Sequence, residues 1–129
     1  MSLINAVVGI DIGGTNTVFG FVDPNGKLIY NSTIPTNANE KAEFLFDRLF
    51  MKIEKDFQQF SNQYELVGIG IGAPNANYFK GTIEMPPNLK WGIVNVLEII
   101  KKYSMLPAAI TNDANAAALG EMLFGAAKG

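Results

Sequence analysis

The sequence predicts an α/β domain built on a mixed five-stranded sheet, opening with an antiparallel three-strand meander, with helices on both faces and a small hairpin in the 73–89 loop. Three observations predict it. Three β-rich runs stand at the head of the chain, with a turn signal between the second and third. A stretch of apolar residues at helical period follows. Two further strand-like runs each precede a helical one, and parallel crossovers need helices on the return.

The meander is expected over Ala6–Ile12, Val18–Val22 and Leu28–Ile34. Asp23-Pro24-Asn25-Gly26, which separates the second and third runs, has the composition of a hairpin turn. After Pro35 the period changes: Phe46, Leu49, Phe50, Ile53, Phe57 and Phe60 recur at three and four residues, which sets them on one face of a helix. Leu66–Gly72 then alternates apolar residues with glycine, so one face of that strand packs while the other admits a close neighbour. Its glycines lie within the strand and not in a strand-to-helix turn, which argues against a dinucleotide site. Residues 73–89 (APNANYFKGTIEMPPNL) read as an ordered surface loop with a hairpin around Tyr78–Ile83. Ile93, Val96, Leu97, Ile100 and Tyr103 mark a second helix, Ala108–Thr111 a short strand, and Ala114–Phe124 a third helix.

Composition narrows the chemistry. The 129 residues are 48% hydrophobic and 17% charged, the balance of one soluble domain. There is no cysteine and no histidine, so zinc cannot be held through Cys or His here and any metal must be held by oxygen. Formal net charge is −2 with scattered Lys and Arg, so neither nucleic acid nor a membrane is expected as a partner. No apolar run approaches a membrane span and the N-terminus lacks a signal peptide's basic start, so a cytoplasmic protein is expected.

Ligands of mixed sheets bind beyond the carboxyl ends of strands. The chain puts Asp11 at the end of the first strand, Gly72–Asn75 after the fourth and Asn112-Asp113 after the last, so these groups are expected on one edge. At Asp11-Ile12-Gly13-Gly14-Thr15, backbone N–H groups bare of side chains can face a phosphate, Thr15 can add a hydroxyl, and Asp11 can hold Mg²⁺ directly or through water. The same residues also fit a plain hairpin whose turn needs glycine's positive φ. Asp113 reads either as a helix N-cap or as a base that takes a proton from an attacking hydroxyl, with Asn112 orienting the alcohol. Asn75, Asn77 and Asn88 suit sugar hydroxyls or ordinary turns, and Trp91 suits core packing or a sugar face.

Taken together, Asp11–Thr15 with Gly20 and Asp23, Gly70–Asn75, Pro87-Asn88-Leu89 with Trp91, and Asn112-Asp113-Ala114-Asn115 running on to Glu121 resemble the ROK family of sugar kinases and repressors. The resemblance is strongest to its glucokinase-like members, which belong to the ribonuclease H-like, actin-like ATPase fold class. It implies that Asp11, Gly13, Gly14 and Thr15 approach the phosphates of Mg²⁺-bound ATP, that Asn75, Asn88, Asn112 and Asp113 hold a hexose, and that Asp113 is the base. The implied reaction moves the γ-phosphoryl of ATP to a sugar hydroxyl, O6 of glucose. Fructose, N-acetylhexosamine kinases and sugar-sensing regulators are the alternatives within the resemblance, and another actin-like ATPase is a more distant one.

Members of that family continue into a second domain, with further sugar and adenine contacts and often a zinc site. Residues 1–125 are therefore expected to be an N-terminal sugar-kinase domain and 126–129 the start of a hinge to a C-terminal domain. A homo-oligomer is expected of the full-length protein, and negligible kinase activity of residues 1–129 alone. A repressor would carry a DNA-binding segment ahead of this domain, and the first strand begins near Ala6.

Overall fold

The computed structural model describes residues 2–77, 80–84 and 91–111. The five-stranded sheet comprises β1 (Ile4–Ile12), β2 (Asn16–Val22), β3 (Leu28–Pro35), β4 (Tyr64–Gly72) and, after the small sheet described below, β8 (Ala108–Thr111), in spatial order β3-β2-β1-β4-β8. β1–β2 and β2–β3 are antiparallel, whereas β4 pairs parallel to β1 and β8 parallel to β4. This is the expected mixed sheet with its opening meander.

Local chemistry makes the β2–β3 turn. The Asp23 carboxylate accepts the N–H groups of Asn25 and Lys27, both at 2.9 Å, and Gly26 takes φ +82°, which an L side chain rarely adopts.

Helix α1 (Ala42–Phe57) buries the stripe Ala42, Leu45, Phe46, Leu49, Phe50 and Ile53. Glu43 in its first turn and Lys55 in its last both complement the helix dipole. A single 3₁₀ turn, Gln58–Phe60, ends it and brings Phe60 beside Phe21 and Tyr30, with ring centroids 5.8 and 5.5 Å apart. The core sits between α1 and the sheet face carrying Val8, Ile10, Ile12, Phe19, Phe21, Ile69, Ile71 and Ile110. Pairing explains the selection: Ile10 lies opposite Phe19 and Ile71, and Val8 opposite Phe21 and Ile69.

The intervening residues face the other way. There Gly9 lies between Gly20 and Gly70, while Val7 and Val22 form a small separate apolar cluster with Val67. Both described helices pack on the Val8 face; the helix expected over 114–124, like the hinge at 126–129, lies outside the described residues. Among the described residues no helix is long and apolar enough to cross a membrane.

The 73–95 region departs from expectation in one respect. The hairpin is present, as β5 (Ala76–Asn77) and β6 (Thr82–Glu84), but a third strand, β7 (Ile93–Asn95), joins it through β6. Ile93 is therefore a strand residue and not the start of a helix. The reason is Asn95, whose side-chain oxygen accepts the Glu98 N–H at 3.2 Å and caps α2 (Val96–Ile100). The Gly81 carbonyl accepts the N–H groups of Val96 and Leu97, satisfying two more donors at that end. Tyr103, expected at the end of this helix, lies beyond it and stacks on Phe50 at 5.0 Å.

Candidate functional site

Strand register brings Asp11 and Gly72, two of the predicted positions, to one edge beside Thr111. Asp11, near the end of β1, lies opposite Gly72 of β4, and Gly72 lies opposite Thr111, the last residue of β8. With neighbouring strands about 4.8 Å apart, Asp11 and Thr111 stand roughly 10 Å from each other along this row. Ala73 extends the ladder by donating its N–H to the Thr111 carbonyl at 3.1 Å. Asp11 alternates with the core residues Ile10 and Ile12, so it sits on the sheet face away from α1, and it is exposed.

Beyond Asp11 the chain turns back into β2, with the Gly13 N–H donating to the Asn16 carbonyl at 3.0 Å. The hairpin is real, but its glycine requirement differs from the one expected. The positive-φ glycines among the described residues are Gly26, Gly81 and Gly92, so neither Gly13 nor Gly14 needs that conformation. Gly13 is required by proximity: a Cβ there would lie 2.7 Å from the Asn16 carbonyl oxygen. Gly14 is half-buried and Thr15 exposed, at the tip of the turn.

A polar layer lies under this turn that the sequence reading did not identify. Thr36, just after β3, donates its hydroxyl to the Gly13 carbonyl at 2.7 Å and shares a 2.8 Å hydrogen bond with the Thr17 hydroxyl. The Thr36 N–H donates to the Thr15 carbonyl at 2.9 Å. Thr17 and Thr36 are 0% and 1% exposed, so these bonds are made away from water. Arg48 of α1 reaches in behind them, donating to the carbonyls of Pro35 at 2.7 Å and Thr36 at 3.1 Å. The one available sequence signal was a threonine directly after the Pro35 that ends a strand.

On the other side of Gly72, Asn75 is exposed and takes φ +56°, a conformation that asparagine tolerates better than most residues. Its carbonyl accepts the Glu84 N–H at 3.0 Å, which fixes it to β6. Asn77 has turn chemistry: its side chain donates to Glu84 at 3.0 Å and accepts the Lys80 N–H at 3.1 Å. Hydrogen bonds from Thr82 and then Asn77 hold the Glu84 carboxyl below its usual range.

Trp91 packs against Phe46, with ring centroids 6.4 Å apart, and donates its indole N–H to the Glu40 carbonyl at 3.2 Å. Asn88, Asn112 and Asp113 lie outside the described residues. Asn112 follows Thr111 directly in the chain, and Thr111 is on the Asp11–Gly72 row.

Among the described residues no three Asp, Glu, His or Cys side chains cluster to hold a metal ion. Asp11 by itself offers a hard oxygen donor at an exposed strand end, which suits Mg²⁺, an ion that keeps several waters and is bound by one or two carboxylates together with substrate phosphates.

The chain is 34% identical over 123 residues to a glucokinase of Streptomyces coelicolor, covering 95% of this chain and 37% of that protein. It is also 34% identical over 124 residues to a xylose repressor of Caldicellulosiruptor bescii, covering 95% of this chain and 31% of the repressor. The chain thus spans about a third of the length of the curated relatives it matches.

Among solved structures it resembles a ROK family glucokinase from Streptomyces griseus in complex with glucose and AMPPNP, at 29% identity and TM-score 0.67 over 96% of this chain and 38% of that one. A ROK hexokinase from Thermus thermophilus superposes with TM-score 0.71 at 27% identity, over 84% of this chain and 35% of that one. The fold is therefore the actin-like ATPase fold expected from the sequence. The family model described as ROK family matches residues 7–129, and the chain belongs to the ROK family.

Proposed function

We propose that residues 1–125 are the N-terminal domain of an ATP-dependent hexose kinase of the glucokinase kind, working in the cytoplasm, with 126–129 opening the hinge to a C-terminal domain. In this reading Asp11, Gly13, Gly14 and Thr15 face the ATP phosphates, and Asn75, Asn88, Asn112 and Asp113 hold the sugar. Asp113 accepts the proton of O6 of glucose as that oxygen bonds to the γ-phosphorus and the bond to the β-phosphate oxygen breaks, releasing ADP. Asp11 would hold Mg²⁺ directly or through water, and the ion would supply neutralisation of phosphate charge. Catalysis then rests on positioning and charge neutralisation.

The observation that carries the reading is the row Asp11–Gly72–Thr111, which sets the phosphate-side turn and the strand leading to Asn112-Asp113 about two strand spacings apart. The glucokinase relatives support the choice of sugar. Closure of two domains is the usual route to a water-poor cleft, so this domain alone is expected to have negligible kinase activity.

The test is sugar-dependent ATP turnover by the full-length protein over a panel of hexoses and N-acetylhexosamines, with and without Asp113→Asn. Turnover of one sugar, cut by orders of magnitude in the folded variant, supports both the activity and the base. A second reading, a sugar-sensing regulator, is favoured by the xylose repressor relative. Sugar binding without turnover of any sugar would select it.

A further inference from the structure

We propose that Thr36, braced by Arg48, is a positioning residue that sets the backbone of the 13–15 turn for nucleotide phosphate. The inference rests on the reading of Asp11–Thr15 as the phosphate-side turn. Its basis is the direction of the buried hydrogen bonds. A threonine hydroxyl has one proton to give, and Thr36 gives it to the Gly13 carbonyl at 2.7 Å. In the 2.8 Å contact between the two hydroxyls, Thr17 is therefore the donor and Thr36 the acceptor. The relay runs one way, Thr17 to Thr36 to Gly13, and ends on the turn.

The consequence for the turn follows from peptide planarity. In a trans peptide the C=O and the next N–H point in opposite directions, so fixing the Gly13 carbonyl on Thr36 directs the Gly14 N–H away from it. The Thr36 N–H fixes the Thr15 carbonyl in the same way at 2.9 Å, directing the Asn16 N–H. Thr36 thus holds the carbonyls on both sides of Gly14, and one residue orients the two peptide planes, 13–14 and 15–16, that flank the 14–15 peptide. Arg48 holds Thr36 in turn, its two terminal nitrogens spanning the carbonyls of Pro35 and Thr36 at 2.7 and 3.1 Å. That fork leaves Arg48 Nε buried without a partner among the described residues, a cost that simple packing of α1 against the sheet would not require. Two valines would fill the space of Thr17 and Thr36, yet would leave the Gly13 carbonyl without its partner.

The experiment compares Thr36→Val, Thr36→Ser, Arg48→Lys and Gly13→Ala in the full-length protein, reading AMPPNP affinity, KM for ATP, kcat and sugar affinity. Thr36→Val is expected to weaken AMPPNP and raise KM for ATP by about ten- to a hundredfold, the effect of displacing a positioned group by up to 1 Å, with sugar affinity unchanged. Thr36→Ser, which keeps the hydroxyl, restores nucleotide affinity to near the parent value. Arg48→Lys, which keeps the charge and loses the fork, moves nucleotide affinity the same way by a smaller factor, and decides the matter should Thr36→Val not fold.

Nucleotide affinity unchanged in both Thr36→Val and Arg48→Lys, but lost in Gly13→Ala, overturns the positioning role and leaves the phosphate-side turn standing. Unchanged nucleotide affinity in Gly13→Ala as well overturns the reading of the turn itself. An equal loss of sugar and nucleotide affinity in Thr36→Val, or no rescue by serine, assigns Thr36 to general stability and overturns the proposal.

Discussion

Alanine at Gly81 is expected to destabilise the protein by an amount that depends on Leu97. Gly81 closes the β5–β6 hairpin, donating to the Asn77 carbonyl at 2.9 Å while its own carbonyl receives the first N–H groups of α2. Its φ is +68°, and a Cβ built there meets Leu97 Cδ1 at 2.5 Å, Cγ at 2.7 Å and Cβ at 3.2 Å. The left-handed backbone costs a non-glycine residue about 1 kcal/mol, and overpacking against half-buried Leu97 adds roughly 1–3 kcal/mol. Gly81→Ala should therefore cost about 2–4 kcal/mol.

Leu97→Ala removes the two nearest atoms and leaves only the contact at 3.2 Å. In that background Gly81→Ala should cost only about 1–2 kcal/mol, which gives a favourable coupling of about 1–2 kcal/mol in a double-mutant cycle. Urea unfolding of the four proteins reads the cycle, with m-values checked for constancy. Additivity within about 0.5 kcal/mol would refute the reasoning, because it would show that the Leu97 side chain is not what the new methyl group meets. Since the hairpin carries the Glu84 N–H that donates to the Asn75 carbonyl, the single variant should also loosen the turn at Asn75.

Two further outcomes concern the core and its edge. Leu49, fully buried on the sheet-facing stripe of α1, should cost about 2–5 kcal/mol when replaced by alanine, read as a lower urea midpoint; a loss under 1 kcal/mol would mean that the stripe does not face the core. Asp56 accepts a 2.7 Å hydrogen bond from Tyr30 and pairs with Lys52 at 3.2 Å. Burial pushes the Asp56 carboxyl up, but Tyr30 and Lys52 outweigh it and its pKa lies below the ordinary 3.8. A depressed pKa adds stability that is present above 3.8 and lost as pH falls through the folded-state value. Asp56→Asn should thus lower stability near neutral pH, and its gap to the parent should close on acidification; a gap that widens toward acid would reverse the sign of the argument.

The elements that sequence periodicity reveals are those whose partners are local or repeat regularly. Alternation gave away the meander, the Asp-Pro-Asn-Gly turn gave its register, and Phe46–Phe57 traced the buried face of α1. β7 was hidden because Ile93 and Val94 also satisfy helical spacing, and only the capping role of Asn95 separates the two. The meeting of Asp11 with Gly72 was legible from strand order, since both lie at the carboxyl ends of parallel strands; Asn112-Asp113, expected on the same edge, lie outside the described residues. The polar layer beneath the turn was not legible. Thr17 and Thr36 are 19 residues apart, and Arg48 adds a third element, so no local pattern marks a bond that exists only after β2, β3 and α1 have assembled. Gly13 is constrained not by a positive φ but by the nearness of the Asn16 carbonyl, a close backbone approach that paired glycines at a strand end also signal.

The Trp91 indole bond to Glu40 ties the residues ahead of β7 to the segment between β3 and α1. The segment between β3 and α1 is held at one end through Thr36, which grips the phosphate-side turn, and at the other through Glu40, which receives the indole three residues beyond Asn88 in the chain. Few residues separate the two anchorages, and one of them, Asn37, has φ +55°, so this strap has little slack to absorb movement. Losing the indole N–H would therefore free the Glu40 end of this segment while Thr36 still held the other.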